Sequence, residues 1–146
     1  MLILGCGNRQ RGDDGAGILA AECLRALGIA AETCSGESSE LLEAWSGHDD
    51  VIVIDAVVTG AAAGAVHVWD AQRAPTFATS TASTHGFGVA QAIELARALN
   101  RLPARLRVYG IEGTNFEIGG SVSPEVEKAV REVVRRIAAE VNPSPH

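Results

Sequence analysis

Apolar and polar positions along the chain alternate between short buried runs and helical stripes. Leu2-Ile3-Leu4 is a brief apolar run closed by Gly5, as a buried strand would be. A polar, glycine-bearing loop follows, from Gly5 to Gly15. From Ala16 to Leu27 the apolar residues Ile18, Leu19, Cys23, Leu24 and Leu27 recur at helical spacing, with Gly28 as the stop. Ile29–Cys34 reads as a second, outer strand. Ser38–Trp45 reads as a short helix capped by Ser38 or Ser39 and ended by Gly47. Val51-Ile52-Val53-Ile54-Asp55 is the clearest strand, because four β-branched residues in a row fit a strand buried on both faces. Between Gly64 and Trp69, Val66 and Val68 alternate with His67 and Trp69, the pattern of a half-exposed edge strand. A Ser-, Thr- and Ala-rich loop over 71–84 leads into a helix from Gly88 to Leu99 and a strand from Leu106 to Ile111. After the loop from Glu112 to Val122, Ser123-Pro124-Glu125 opens the last helix with a cap, an N1 proline and an early acid. Arg131, Arg135 and Arg136 lie towards its far end, where they would complement the dipole.

This order, β-α-β-α-β-β-α-β-α, predicts an α/β protein. The expected form is a single three-layer domain over 1–141, with a twisted, mainly parallel sheet of about five strands and helices on both faces. Residues 142–146 are expected to fray. The length of 146 residues suits one domain with a real core. Hydrophobic residues make up 47% and charged residues 21%, a globular balance rather than a disordered one.

Charge narrows the partners. With 12 basic and 18 acidic residues the chain carries −6, and no basic stripe stands out, so neither nucleic acid nor an anionic membrane is an expected partner. Cys6, Cys23 and Cys34 form neither a CxxC pair nor an even disulfide framework, which fits the reducing cytoplasm; they read as packing residues. The opening Met-Leu-Ile-Leu-Gly-Cys has the outline of a lipoprotein cleavage box, but no basic region or long apolar stretch precedes Cys6.

In open α/β sheets ligands bind beyond the carboxyl ends of the strands, near the reversal of strand order. Three polar sets are expected there: the Gly5–Gly15 loop with Asn8, Asp13 and Asp14; Asp55, ending the central strand; and His85, just before a helix. Two carboxylates and an imidazole are a reasonable open site for a borderline divalent metal such as nickel or zinc. Each residue also has a plainer role. Asp13 or Asp14 would cap the first helix, leaving the other free. Asp55 would accept loop amides, and His85 would be a surface residue. His67 reads as a strand-face residue, His48 and His146 as solvent-exposed. A nucleotide cofactor is not expected. A GxGxxG fingerprint needs glycine at position 10, where Gln10 stands, and two acids occupy the helix start that a pyrophosphate would need.

Gly5-Cys6-Gly7-Asn8, Gly12-Asp13-Asp14-Gly15-Ala16-Gly17, Val53-Ile54-Asp55-Ala56, Thr84-His85-Gly86, Gly110-Ile111-Glu112 and Ser121-Val122-Ser123-Pro124-Glu125-Val126 together resemble the hydrogenase maturation proteases. The resemblance runs over almost the whole chain, and its most specific part is the loop GxGNxxxGDDGxG. It implies an endopeptidase that trims the C-terminal extension from the precursor of the [NiFe] hydrogenase large subunit. It also implies a metal-recognising and catalytic triad of Asp14, Asp55 and His85, with glutamate replacing Asp14 in some members. The nickel would arrive with the substrate, and a carboxylate would act as base. HExxH and a serine or cysteine nucleophile elbow are absent. Arg9-Gln10-Arg11 departs from the apolar pair usual after the Asn and would bear on substrate contacts. A cytoplasmic monomer is expected. The rival reading is a nickel sensor or carrier of hydrogenase assembly that cleaves nothing.

Overall fold

The computed structural model describes residues 1–72 and 87–142. The elements in order are β1 (Leu2–Cys6), a 3-10 turn (Gly12–Gly15), α1 (Ala16–Ala26), β2 (Glu32–Cys34), α2 (Ser38–Trp45), β3 (Asp50–Val57), β4 (Val66–Asp70), α3 (Phe87–Ala98), β5 (Arg105–Glu112) and α4 (Pro124–Val141). The five strands form one sheet in the order β2-β1-β3-β5-β4. All neighbours are parallel except β4, which runs antiparallel along β5 as an edge. A three-layer α/β domain with a mainly parallel sheet is what the periodicity predicts.

The alternation of side chains splits the core in two. Ile3, Ile52, Ile54, Tyr109 and Ile111 face α1 and α4. Leu2, Leu4, Val51, Val53, Leu106 and Val108 face α2 and α3. β3 is buried from Val51 to Val57, because helices cover both its faces and strands flank both its edges. α4 buries Val126, Ala129, Val130, Val133, Val134 and Ile137, a stripe with helical period. Truncating one of its larger members, such as Ile137→Ala, would cost about 2–5 kcal/mol. No described helix is long and apolar enough to cross a membrane.

Several local expectations are corrected. α1 turns its small residues to the core, burying Ala16, Gly17, Ala20, Ala21 and Leu24, whereas Ile18, Leu19 and Cys23 sit at its flank and Leu27 is 60% exposed. The reason is close approach: a Cβ on Gly17 would collide with the carbonyl oxygens of Cys6 and Ile54, so the helix lies directly on the ends of β1 and β3. The second strand is only Glu32–Cys34 rather than Ile29–Cys34. α2 has Glu37 at its N-cap, with no side-chain capping bond from Ser38 or Ser39. Arg131 pairs with Glu127, and Arg135 and Arg136 share Glu132, so these arginines serve the helix surface. The last turn of α4 holds no basic residue. The loop expected over 71–84 lies, from residue 73 on, outside the described residues, as do residues 143–146 of the tail.

The packing at Gly17 is testable. Gly17→Ala is expected to cost at least about 3 kcal/mol in urea unfolding, because backbone rather than flexible side chains surrounds the site. Gly47→Ala, at φ 82° but with open space around it, should cost only about 1 kcal/mol. Equal costs would show that conformation, not contact, decides.

Candidate active site

β1 leads through α1 to β2 on one side, and β2 returns through α2 to β3 on the other. The strand order therefore reverses between β1 and β3. The register there puts functional side chains in a row at the carboxyl end of the sheet. Cys6 pairs with Cys34, Gly5 with Ile54, and Asp55 with Gly110, so Cys34, Cys6 and Asp55 stand side by side. By parity with Leu4 and Val53, Cys6 and Asp55 point to the face covered by α2 and α3. β3 continues to Val57, so Asp55 is not the final strand residue as expected but sits inside the sheet margin.

Asp55 is 5% exposed, and its Oδ1 accepts the Ala56 amide at 2.9 Å. Burial pushes its carboxyl well above the usual range, and the neighbouring charges of Asp14 and Cys34 push it further, against a smaller downward pull from the Ala56 amide. Among the described residues no cation pairs with it.

Asp14, half-buried in the 3-10 turn, lies near enough for its charge to act on Asp55. Its Oδ2 and its carbonyl both accept the Asn8 amide, each at 3.1 Å, while Asn8 Oδ1 accepts the Gln10 amide at 2.9 Å. Gly7, at φ 135°, is required here, since a Cβ would strike the Asp14 carbonyl. The exposed Arg9 is ion-paired with Glu22.

Asp13 has a different role from the expected cap. The N-cap of α1 is Gly15, with no side-chain capping bond. Asp13 is wholly buried, and its two oxygens accept the amides of Thr114, Asn115 and Ser123 at 2.9, 3.0 and 2.7 Å and the Ser123 hydroxyl at 2.9 Å. Ser123 thus gives its hydroxyl to Asp13 rather than to α4. Burial alone would raise the Asp13 carboxyl, but these donors together outweigh it and hold the group below the usual range. Backbone bonds from Gly12 to Gly120, Asp13 to Asn115 and Gly119 to Gln10 complete the clasp between the first loop and residues 113–123.

His85 lies outside the described residues. α3 begins two positions later, and its second residue, Gly88, abuts the Gly36 carbonyl with no room for a Cβ; a Cβ built on Gly36 would in turn lie 3.6 Å from the Cys6 Cβ. The first turn of α3 therefore stands at the same end of the sheet as Asp14 and Asp55. Among the described residues no group of three or more His, Cys, Asp or Glu is placed to hold a metal ion.

Two pairings escaped the sequence reading. Cys6 and Cys34, expected to pack separately, bring their sulfurs to 2.8 Å. The buried Cys6 keeps its proton, its thiol raised by the bond to Cys34 and by burial, whereas that same bond lowers Cys34. Glu112, buried at the end of β5, accepts the Thr59 amide and hydroxyl at 2.8 and 2.7 Å and lies 3.1 Å from His67 Nε2, whose ring stacks on Trp69. In both cases the signal is positional: Cys6, Cys34 and Glu112 each close a strand.

A family model described as hydrogenase maturation protease matches residues 36–140, most of the chain and including Asp55. The chain belongs to the hydrogenase maturation protease family. It is therefore placed among peptide hydrolases. Its fold is similar to the [NiFe] hydrogenase maturation protease HybD from Thermococcus kodakarensis, at 27% identity and TM-score 0.79, covering 96% of this chain and 97% of that one. The hydrogenase maturating endopeptidase HybD from E. coli gives 25% identity and TM-score 0.78, with 97% and 93% covered. An endopeptidase from Escherichia coli shares the fold at 22% identity and TM-score 0.81, with 97% and 94% covered. No curated protein sequence matches the chain.

The clasp at Asp13 yields a pH-dependent prediction. Its folded pKa lies below the unfolded value of about 3.9, so its stabilisation is present above that pH and lost as pH falls towards the folded value. Asp13→Asn should cost about 2–4 kcal/mol at pH 7, since an amide cannot accept all four donors. The gap to the parent protein should shrink below about pH 4. A gap constant with pH, measured by denaturant unfolding, would contradict the assignment.

Proposed function

We propose that this maturation protease removes the C-terminal extension of a nickel-loaded [NiFe] hydrogenase large-subunit precursor, and that Asp14, Asp55 and His85 recognise the nickel carried by that precursor. The observation that carries this reading is the buried Asp55 carboxyl at the reversal of strand order, within reach of the Asp14 charge. The charge of Asp14 acts on the buried Asp55 carboxyl and raises it, and an incoming divalent ion would relieve that repulsion. Two carboxylates and an imidazole suit a borderline ion such as nickel and leave positions for the precursor's own ligands. A closed four-ligand site would hold metal by itself and lose the ability to test the substrate.

The nickel is thus cargo of the substrate. Its docking brings the nearby peptide bond beside the acids. One carboxylate then takes the proton of the attacking water, while the positive charge of the nickel favours the developing negative charge on the carbonyl oxygen. The reaction is proposed to take place in the cytoplasm, with the protease acting as a monomer. The names of the similar maturation proteases support the substrate class, and the residues of the GxGNxxxGDDGxG loop support the site.

The test is co-expression with a precursor whose nickel content is confirmed, followed by intact mass. Asp14→Asn, Asp55→Asn and His85→Ala are each expected to slow processing by about 100-fold or more. Asp55→Asn should leave folding unharmed. The folded pKa of Asp55 lies above the unfolded one, so its ionisation costs stability as pH rises from about 4, and the amide removes that cost. The variant should therefore be at least as stable as the parent at pH 7. Wild-type processing by any of the three would overturn its assignment.

A further inference from the structure

Cys6 and Cys34 end neighbouring parallel strands in direct register, with their sulfurs 2.8 Å apart. The two are unequal in access. Cys6 is wholly buried, while Cys34 is half-buried and lines a cavity of about 400 Å³. Glu32, Glu40 and Glu43 line the same cavity, so its wall is acidic. Such a wall disfavours an anionic oxidant such as glutathione disulfide and admits a small neutral one.

We propose that Cys6 and Cys34 form a reversible peroxide-responsive dithiol, whose disulfide form disables the neighbouring Asp14–Asp55 site. Cys34 Sγ attacks one oxygen of hydrogen peroxide and the O–O bond breaks. That oxygen stays on sulfur as a sulfenic acid, and the other leaves as water with the thiol proton. Cys6 Sγ then attacks the Cys34 sulfur, the S–O bond breaks, and the departing hydroxide takes the Cys6 proton as a second water. Two thiols and one peroxide become one disulfide and two waters, the sulfurs losing two electrons and the peroxide gaining them. A dithiol reductant reverses the change by thiol–disulfide exchange.

The effect on the site follows from what these cysteines hold. The Gly7 amide donates to the Cys34 carbonyl at 3.1 Å, and the next residue, Asn8, fixes Asp14 through both its carbonyl and its Oδ2. Cys6 also stands beside Asp55 in the sheet. Closing the sulfurs to the bonded distance of about 2.05 Å draws the ends of β1 and β2 together and displaces the start of the loop that carries Asp14. This regulatory half of the proposal rests on the function proposed above; the chemistry of the thiols does not.

The test treats the reduced full chain with stoichiometric hydrogen peroxide and counts alkylatable thiols after denaturation. The count is expected to fall from three to one, with Cys23 as the survivor and peptide mapping linking Cys6 to Cys34. Dithiothreitol should restore all three. Cys6→Ser should stall at a Cys34 sulfenic acid trapped by a 1,3-dione, and Cys23→Ser should behave as the parent. Three thiols surviving treatment, or a link through Cys23, would overturn the proposal without reference to any substrate. In the second arm, the disulfide form should process nickel-loaded precursor about tenfold more slowly than the reduced form, and Cys34→Ser should be unaffected by peroxide. Equal rates with the disulfide confirmed would overturn the switch, whereas failure of the reduced protein to process precursor would instead overturn the proposed function and the switch with it.

Discussion

The ends of β1 and β3 and the first turn of α1 meet through bare backbone. Gly5 and Gly17 make this approach available, for a Cβ on either would run into a carbonyl oxygen. With the helix seated so low, the chain between Cys6 and Ala16 has nowhere to go but outward over the carboxyl edge of the sheet, where it folds into a tight loop and a single 3-10 turn. The strand order reverses at the same place, the position where open α/β sheets bind ligands. The position of the loop that carries Asp14 over the carboxyl edge follows from that one contact.

Three acids near this contact show how environment assigns roles to like side chains. Asp13 and Asp55 are both buried. Asp13 is surrounded by donors, is held ionised, and fastens residues 113–123 to the first loop. Asp55 has one amide, and burial together with the nearby charge of Asp14 pushes it towards its protonated form. The first arrangement supplies stability; the second consumes it, as functional sites commonly do. Asp14 is half-buried, with its Oδ2 accepting the Asn8 amide. Stability invested in Asp13 is what lets the adjacent Asp14 be held against a like charge.

The elements that read well from sequence are those whose pattern reflects burial on a whole face. Val51–Ile54 and the stripe of α4 are of this kind, as is the edge strand at Val66–Asp70. Elements set by tertiary approach read poorly. In α1 the larger apolar residues define a stripe, yet Gly17 pulls the helix so close that the Ala face is buried instead. Asp13 and Asp14 are adjacent and chemically identical, and only donors from 101–110 residues away distinguish them. The approach of Cys6 to Cys34 likewise depends on parallel register between strands separated by a helix. Asp14 and Asp55 stand out as candidates because one follows β1 and the other lies near the carboxyl end of β3, on either side of the reversal; His85, singled out by its Thr84–Gly86 setting, lies outside the described residues.

The proposed role of Asp14 and Asp55 requires that cleavage respond to the metal in the precursor and not merely to its peptide sequence. The direct measurement is cleavage of one purified precursor in nickel-loaded and nickel-free forms by the same protein, followed by intact mass over time. The account predicts shortening of the nickel-loaded form and no change in the nickel-free form. Equal cleavage of both would contradict it.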